Sequence, residues 1–272
     1  MLDPLLVIAC CAGLSLTLSY FSLGYYKVPH NNTTTSQLQV ETDSDGDDIT
    51  SSKKNRKRRV LIVTAHPDDE CMFFGPTILH FTKEEKALVY LLCLSPGNYY
   101  GLGKVRRSEL WNSCQMLGIN CENIMLYRCD DLPDDPTIMW PTVRTANIVN
   151  QHLHALDIDM VITFDDYGVS GHINHSSIHY AIEHLVSECL LPQACEAYSL
   201  DSVNLLRKYS ALLDVPLSYF SSSFALTIRD QQSSTLKKAM KCHATQYTWF
   251  RKLYMMFSRY VLINTLSRIN VE

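Results

Sequence analysis

The chain has 272 residues, 46% of them hydrophobic and 19% charged, with a formal net charge of −4. That length holds one sizeable globular domain with extensions, and the acidic balance argues against a general nucleic-acid binder. Ten cysteines without a Cys-x-x-Cys pair exclude a zinc-ribbon site and suit reduced, mostly buried thiols in a cytosol-facing protein.

Pro4 to Tyr26 carries no charged residue and is mostly apolar, enough to span a hydrocarbon core of about 30 Å as a helix. A cleaved signal peptide competes with this reading. The run is long for one, and Asp3 stands where a basic residue belongs, so an uncleaved anchor over 1–29 is favoured. Lys27 and the cluster Lys53, Lys54 and Arg56 to Arg59 follow the span, which places the main domain in the cytosol by the positive-inside tendency. The sequons at Asn31 and Asn32 are then expected to be unused. Residues 30–58 are polar, then acidic, then basic, and read as a disordered tether whose basic end can touch anionic headgroups.

From Arg59 onward strand and helix patterns alternate. A buried strand over 59–65 leads into a helix running to about residue 82, and Ala87 to Leu94 is a second strand. A Gly-rich turn, Ser95 to Gly103, opens a helix from Lys104 to Leu117 that Gly118 closes. Asn123 to Tyr127 is a third strand, Thr142 to Leu156 a helix, Met160 to Phe164 a fourth strand, and about 175–190 another helix. This rhythm predicts an α/β domain over 59–272 with a Rossmann-like, mostly parallel sheet and helices on both faces. Tyr198 to Leu213 is left open between strands completing the sheet and an added subdomain.

The first strand ends in His66-Pro67-Asp68-Asp69-Glu70. Proline followed by acids is how an ordinary helix begins. Imidazole and carboxylate together also suit a divalent metal of the zinc type. The fourth strand ends in Asp165 to His175, which places His172 and His175 at the equivalent position. Ligands of such sheets sit at the carboxyl ends of the strands, so one of these imidazoles can complete a His-Asp-His site and the other can act as general acid or oxyanion stabiliser. His179 and His184 read as packing or surface residues.

Together these segments resemble the LmbE-like family of zinc-dependent N-acetylglucosamine de-N-acetylases, whose pattern is Ala-His-Pro-Asp-Asp-Glu followed by His-x-x-His. The likeness is closer to the branch that acts on N-acetylglucosaminyl-phosphatidylinositol in GPI-anchor synthesis. Its carriers are Leu94 to Leu110, Gly168 to His175, His243 to Arg251 and Phe257 to Tyr260. The resemblance implies metal ligation by His66, Asp69 and His175, with Asp68 as general base and His172 as the oxyanion stabiliser or proton donor. It also implies zinc, with iron(II) as the alternative, a glycolipid substrate, and a single-pass protein of the endoplasmic reticulum membrane. Glu70 is expected to cap or orient the ligands, and His243 to support the site from behind. Ser170 stands where some relatives have tyrosine, with Tyr167 nearby.

Asn98 and Arg106 are expected to contact sugar or phosphate at the glycine-rich helix start. The acidic turn Asp130 to Asp135 is left out of the site. The aromatic and basic segment Trp249 to Ile263 divides between a membrane-interface element and a core helix. Two rival readings of the whole chain are a same-fold deacetylase of a soluble amino-sugar conjugate and an inactive, membrane-anchored binding module.

Overall fold

The computed structural model describes residues 56–222 and 224–270. The expected anchor and most of the expected tether therefore lie outside the described residues. Among the described residues no helix is long and apolar enough to cross a membrane.

Strand β1 (Arg59–Thr64) is central, and its Val60, Leu61, Ile62 and Val63 are completely buried. A strand covered on both faces must be apolar at successive positions, which is why RVLIVT lacks a two-residue period. The chain continues through α1 (Asp69–Met72), α2 (Gly75–Leu79) and a π-helical turn to β2 (Leu88–Cys93). Helix α3 (Gly103–Leu117) and β3 (Ile124–Leu126) follow, then α4 (Thr142–Ala155) and β4 (Met160–Phe164). Next come the short α5 (Gly168–Gly171), α6 (Ile173–Ser187), β5 (Glu196–Leu200), α7 (Leu205–Tyr209) and α8 (Ala211–Ser221). The chain closes with β6 (Ala225–Thr227), α9 (Asp230–Cys242), α10 (Trp249–Phe257) and β7 (Ile263–Arg268).

The seven strands form one sheet in the order β3-β2-β1-β4-β5-β7-β6. The first five are mutually parallel. Helix α3 packs with α9, and α4 packs with α6; right-handed crossovers put these two groups on opposite faces of the sheet. The order reverses between β1 and β4, which makes that crevice the switch point where such sheets bind ligands.

The structure completes the expected element pattern in two places and corrects it in a third. The sheet is mixed, because β7 runs antiparallel to β5 and to β6. Of the open stretch Tyr198 to Leu213, only residues 198–200 are strand, as the end of β5, and the helices α7 and α8 follow.

The expected helix to residue 82 is broken after Met72, where Pro76 has no N–H to continue the ladder. The C-terminal segment fills that break. The Tyr254 hydroxyl donates to Met72 O at 3.2 Å, and the buried Asn264 carboxamide donates to Phe73 O at 2.9 Å and accepts from Thr77 N at 3.1 Å.

Candidate active site

His66, Asp68 and Asp69 follow β1, and His172 and His175 follow β4, so the switch point brings all five to one pocket of about 480 Å³. Asp69 opens α1. Its Oδ2 accepts from the backbone amides of Ala65 at 3.0 Å and His66 at 2.8 Å, leaving Oδ1 to face His175 Nε2 at 3.4 Å. Burial works against its charge, but His175 and His66 together outweigh burial and hold the carboxyl well below the usual range.

His175 lies in the first turn of α6, stacked on the Phe164 ring at 3.9 Å between centroids. Its Nδ1 donates to Gly168 O at 3.0 Å, which turns Nε2 toward Asp69. Gly168 has φ +67, and a Cβ there would meet the His175 Cβ at 2.7 Å. The junction of β4 and α6 therefore needs glycine for both conformation and space.

His172 is the N-cap of α6 and is half-buried; its Nδ1 accepts from Asn174 N at 3.3 Å. That bond leaves the proton on Nε2. Burial, with His175 and His66 adding to it, pushes its pKa down to about 4, so the ring is a neutral N–H donor at physiological pH.

His66 has a neighbour that the sequence reading left out. Asp134, from the acidic turn after β3, sets Oδ1 3.1 Å from His66 Nε2, with Asn174 Oδ1 at 3.2 Å. Burial favours the neutral ring of His66, yet Asp134, Asp69 and Asp68 together raise its pKa. The turn thus belongs to the site.

Asp68 sits at the N-cap of α1 with φ 105, a left-handed backbone unusual for a residue with a side chain. Glu70 holds it there by accepting the Asp68 N–H at 3.0 Å through Oε2. Glu70 Oε1 in turn accepts from Ser113 Oγ at 2.5 Å and lies 2.6 Å from His243 Nε2. Both Glu70 and His243 are fully buried, so the expected supporting roles of these two residues become one concrete contact.

Two arginines flank the Asp68 carboxylate, Arg251 at 2.8 Å from Oδ2 and Arg106 at 3.5 Å from Oδ1. Burial pushes the Asp68 pKa up, and Arg251 and Arg106 restrain the rise without cancelling it. Arg251 belongs to α10, so the C-terminal segment forms part of the pocket; Gln246, Phe250 and Tyr254 line it as well. The core-or-membrane alternative for this segment omitted that function.

The expected substrate contacts divide. Arg106 reaches the pocket, but it donates to Pro67 O at 2.6 Å and Gly97 O at 2.9 Å as well as facing Asp68. Asn98 does not line the pocket. Its Oδ1 accepts Gly103 N at 2.9 Å at the start of α3, and the residue lines a neighbouring groove with Lys104 and Arg107. Tyr167 is exposed and lines an adjoining pocket, and Ser170 lines both that pocket and this one.

The donor set fits a divalent metal of the zinc type. Nitrogens of His66, His172 and His175 lie within 4.8 Å of one another, with Asp69 Oδ1 beside them. The other ring nitrogen of His175 and the other oxygen of Asp69 are already held by the backbone, as outer partners orient metal ligands.

The model of the GlcNAc-PI de-N-acetylase family, PIG-L, matches residues 61–186. The N-acetylglucosaminyl-phosphatidylinositol de-N-acetylase of Bos taurus is 48% identical over 210 residues, covering 77% of this chain and 83% of that protein. A probable enzyme of the same name from Dictyostelium discoideum is 36% identical over 243 residues, covering 78% and 94%.

Among solved structures, N,N'-diacetylchitobiose deacetylase from Pyrococcus horikoshii superposes with a TM-score of 0.56 at 15% identity, covering 83% and 94%. Teicoplanin deacetylase Orf2, solved in a zinc-inhibited form, gives 0.53 at 13% identity, covering 77% and 98%. At these identities the two structures speak for the α/β fold alone. Sequence identity over most of both chains carries the assignment: this chain belongs to the GlcNAc-PI de-N-acetylase family.

Proposed function

We propose that the protein is a metal-dependent hydrolase that removes the acetyl group from N-acetylglucosaminyl-phosphatidylinositol, releasing acetate and glucosaminyl-phosphatidylinositol. The observation that carries this reading is the convergence of a buried carboxylate, Asp68, with the His66, Asp69 and His175 donor set and the His172 N–H in one pocket. His66, Asp69 and His175 would hold the metal, with zinc the first choice and iron(II) the alternative. When bound, the metal polarises the acetamide carbonyl and acidifies water.

Asp68 takes a proton from the attacking water as its oxygen bonds to the acetamide carbon. A base buried against two arginines has a pKa raised toward the working pH, which favours that transfer. The carbonyl oxygen gains charge and accepts a hydrogen bond from His172 Nε2–H, a neutral donor already oriented by the amide of Asn174. The protonated Asp68 then delivers its proton to the leaving nitrogen as the C–N bond breaks. Arg106 and Arg251 fix the Asp68 carboxylate and, at the pocket wall, lie within reach of hydroxyls or phosphate of the substrate.

The same reading places the protein in the endoplasmic reticulum membrane, held by residues 1–29 with the catalytic domain facing the cytosol. The anchor is supported by its uncharged run and the basic residues behind it.

Membranes carrying the protein are incubated with N-acetylglucosaminyl-phosphatidylinositol, and acetate release is measured with and without a chelator. Release that chelation abolishes and zinc restores is expected. Absence of release from metal-replete protein sinks the assignment, and release that survives chelation sinks the metal mechanism. Protection of the catalytic domain from protease in sealed microsomes would overturn the topology.

A further inference from the structure

Helix α10 is amphipathic the wrong way round for a soluble protein. Its buried side carries Arg251, Tyr254 and Met255, while Trp249, Phe250, Leu253, Met256 and Phe257 lie on one exposed arc. Trp249 is 73% exposed and Met256 65%. These positions fall at i, i+4, i+7 and i+8, with Phe250 beside them, so the helix turns a continuous apolar stripe outward.

The neighbouring α7, joined to α10 by the contact of Tyr209 with Tyr254, exposes Leu205 and Leu206 at 71% and 83%. Across the pocket, the loop before α3 exposes Tyr99 and Tyr100. Tyr99, Tyr100, Tyr209 and Phe250 also line the catalytic pocket, so the apolar surface rims its mouth. Water-soluble surfaces rarely carry contiguous apolar patches of this kind without a partner.

Charge indicates which partner. The segments LLRKY and WFRKLYMMF contain four basic residues and no acidic one; Arg207 and Arg251 turn inward to Asp214 and Asp68, which leaves the half-buried Lys208 and the exposed Lys252 at the surface. Lys252 stands at the edge of the exposed arc. An apolar face of aromatics and leucines bordered by lysine and free of acids matches the interfacial zone of a bilayer with anionic headgroups.

We infer that the exposed faces of α7 and α10 form a bilayer-docking surface that seats the mouth of the catalytic pocket against anionic lipid. The surface acts separately from any anchor in residues 1–29. It lets a lipid-linked headgroup enter the pocket while its acyl chains stay in the membrane. The inference draws its purpose from the glycolipid reading of the pocket, but docking can be measured without turnover.

The full-length chain is reconstituted into phosphatidylcholine vesicles containing phosphatidylserine, with or without bromine on the acyl chains. Trp140 is buried in the core and Trp111 is partly buried, so Trp249, 73% exposed, is the most accessible of the three tryptophans. Bromolipid quenching of emission is expected in the wild type and should be largely lost in Trp249→Phe. In a second arm, Leu206→Ser, Leu253→Ser and Phe257→Ser are combined. Turnover of vesicle-embedded N-acetylglucosaminyl-phosphatidylinositol should fall roughly tenfold, as expected from lost apolar burial. Turnover of water-soluble N-acetylglucosaminyl-inositol should stay unchanged.

Equal quenching of wild type and Trp249→Phe, or none in either, overturns the proposal and gives the face to a protein partner. A combined variant that loses both substrates equally, or neither, overturns it too. Quenching without turnover of either substrate would retain docking and reject the enzymatic reading.

Discussion

At the scale of single residues, the site depends on how one carboxylate is placed between opposing influences. Burial raises the Asp68 pKa, and Arg251 is the stronger of the two cations that pull it down. In Arg251→Gln that pull disappears and the Asp68 pKa rises further. The base proposed at Asp68 must be unprotonated to act, so the acid limb of the pH dependence of kcat/KM is expected to move to higher pH. Acetate release measured across the acid range reads this directly. An unmoved limb would mean that the limb reports some group other than Asp68.

The sequence reading reached His66, Asp68, Asp69, His172 and His175 because strand ends and helix starts are local patterns. It missed Asp134 and Arg251 for the opposite reason. Each is an ordinary acid or base in its own segment, and only the fold sets it beside His66 or Asp68. Asn98 lies apart from these residues: its Oδ1 serves the turn before α3, and it lines the neighbouring groove with Lys104 and Arg107.

Among the elements, the junction of β4 and α6 has the least freedom. Gly168 combines a positive φ with a space that the His175 Cβ nearly fills, so Gly168→Ala adds strain and a clash together. A loss of roughly 1–3 kcal/mol of stability is expected, from backbone strain and overpacking. The bound metal should weaken as well, because Gly168 O orients His175. Urea unfolding and metal titration test the two parts, and wild-type values in both would refute the role given to Gly168.

Legibility at this scale followed burial on two faces. β1, β2 and β4 announced themselves as apolar runs, whereas INTLSR of β7 mixes polar and apolar residues near the edge of the sheet. Pro76 is the local sign of the break in the helix after β1, whereas the Tyr254 hydroxyl and Asn264 carboxamide that satisfy the freed carbonyls come from the far end of the chain.

For the whole molecule, the buried pair of Glu70 and His243 ties the loop after β1 to the C-terminal region and makes stability depend on pH. Burial opposes the charge on Glu70, but His243, Ser113 and the Asp68 amide outweigh it and lower the pKa from 4.5. Its stabilisation is therefore present above 4.5 and lost as pH falls through the lower folded value. Burial also disfavours the charged His243, yet Glu70 raises its pKa from 6.5, so its contribution is present below 6.5 and fades as pH rises through the folded value. The pair should contribute most between 4.5 and 6.5. Urea midpoints of the wild type and of the combined Glu70→Gln and His243→Gln variant, followed over pH, should differ most in that window. A constant difference would remove the pair from the account of stability.

The left-handed backbone of Asp68 has a consequence for how this sequence can change. A side chain with φ 105 costs on the order of 1–2 kcal/mol, which glycine would not incur. Asp68→Gly and Asp68→Ala both remove the carboxylate, so the difference between them isolates the backbone. Glycine, usually the less stable of the two, is expected to be the more stable here by roughly 1 kcal/mol in thermal or urea unfolding. The reverse order would show a relaxed backbone. Stability and chemistry thus prefer different residues at one codon. A selection scheme that rewarded only folding would drift toward glycine there and yield a sturdier protein without the carboxylate proposed to accept the proton.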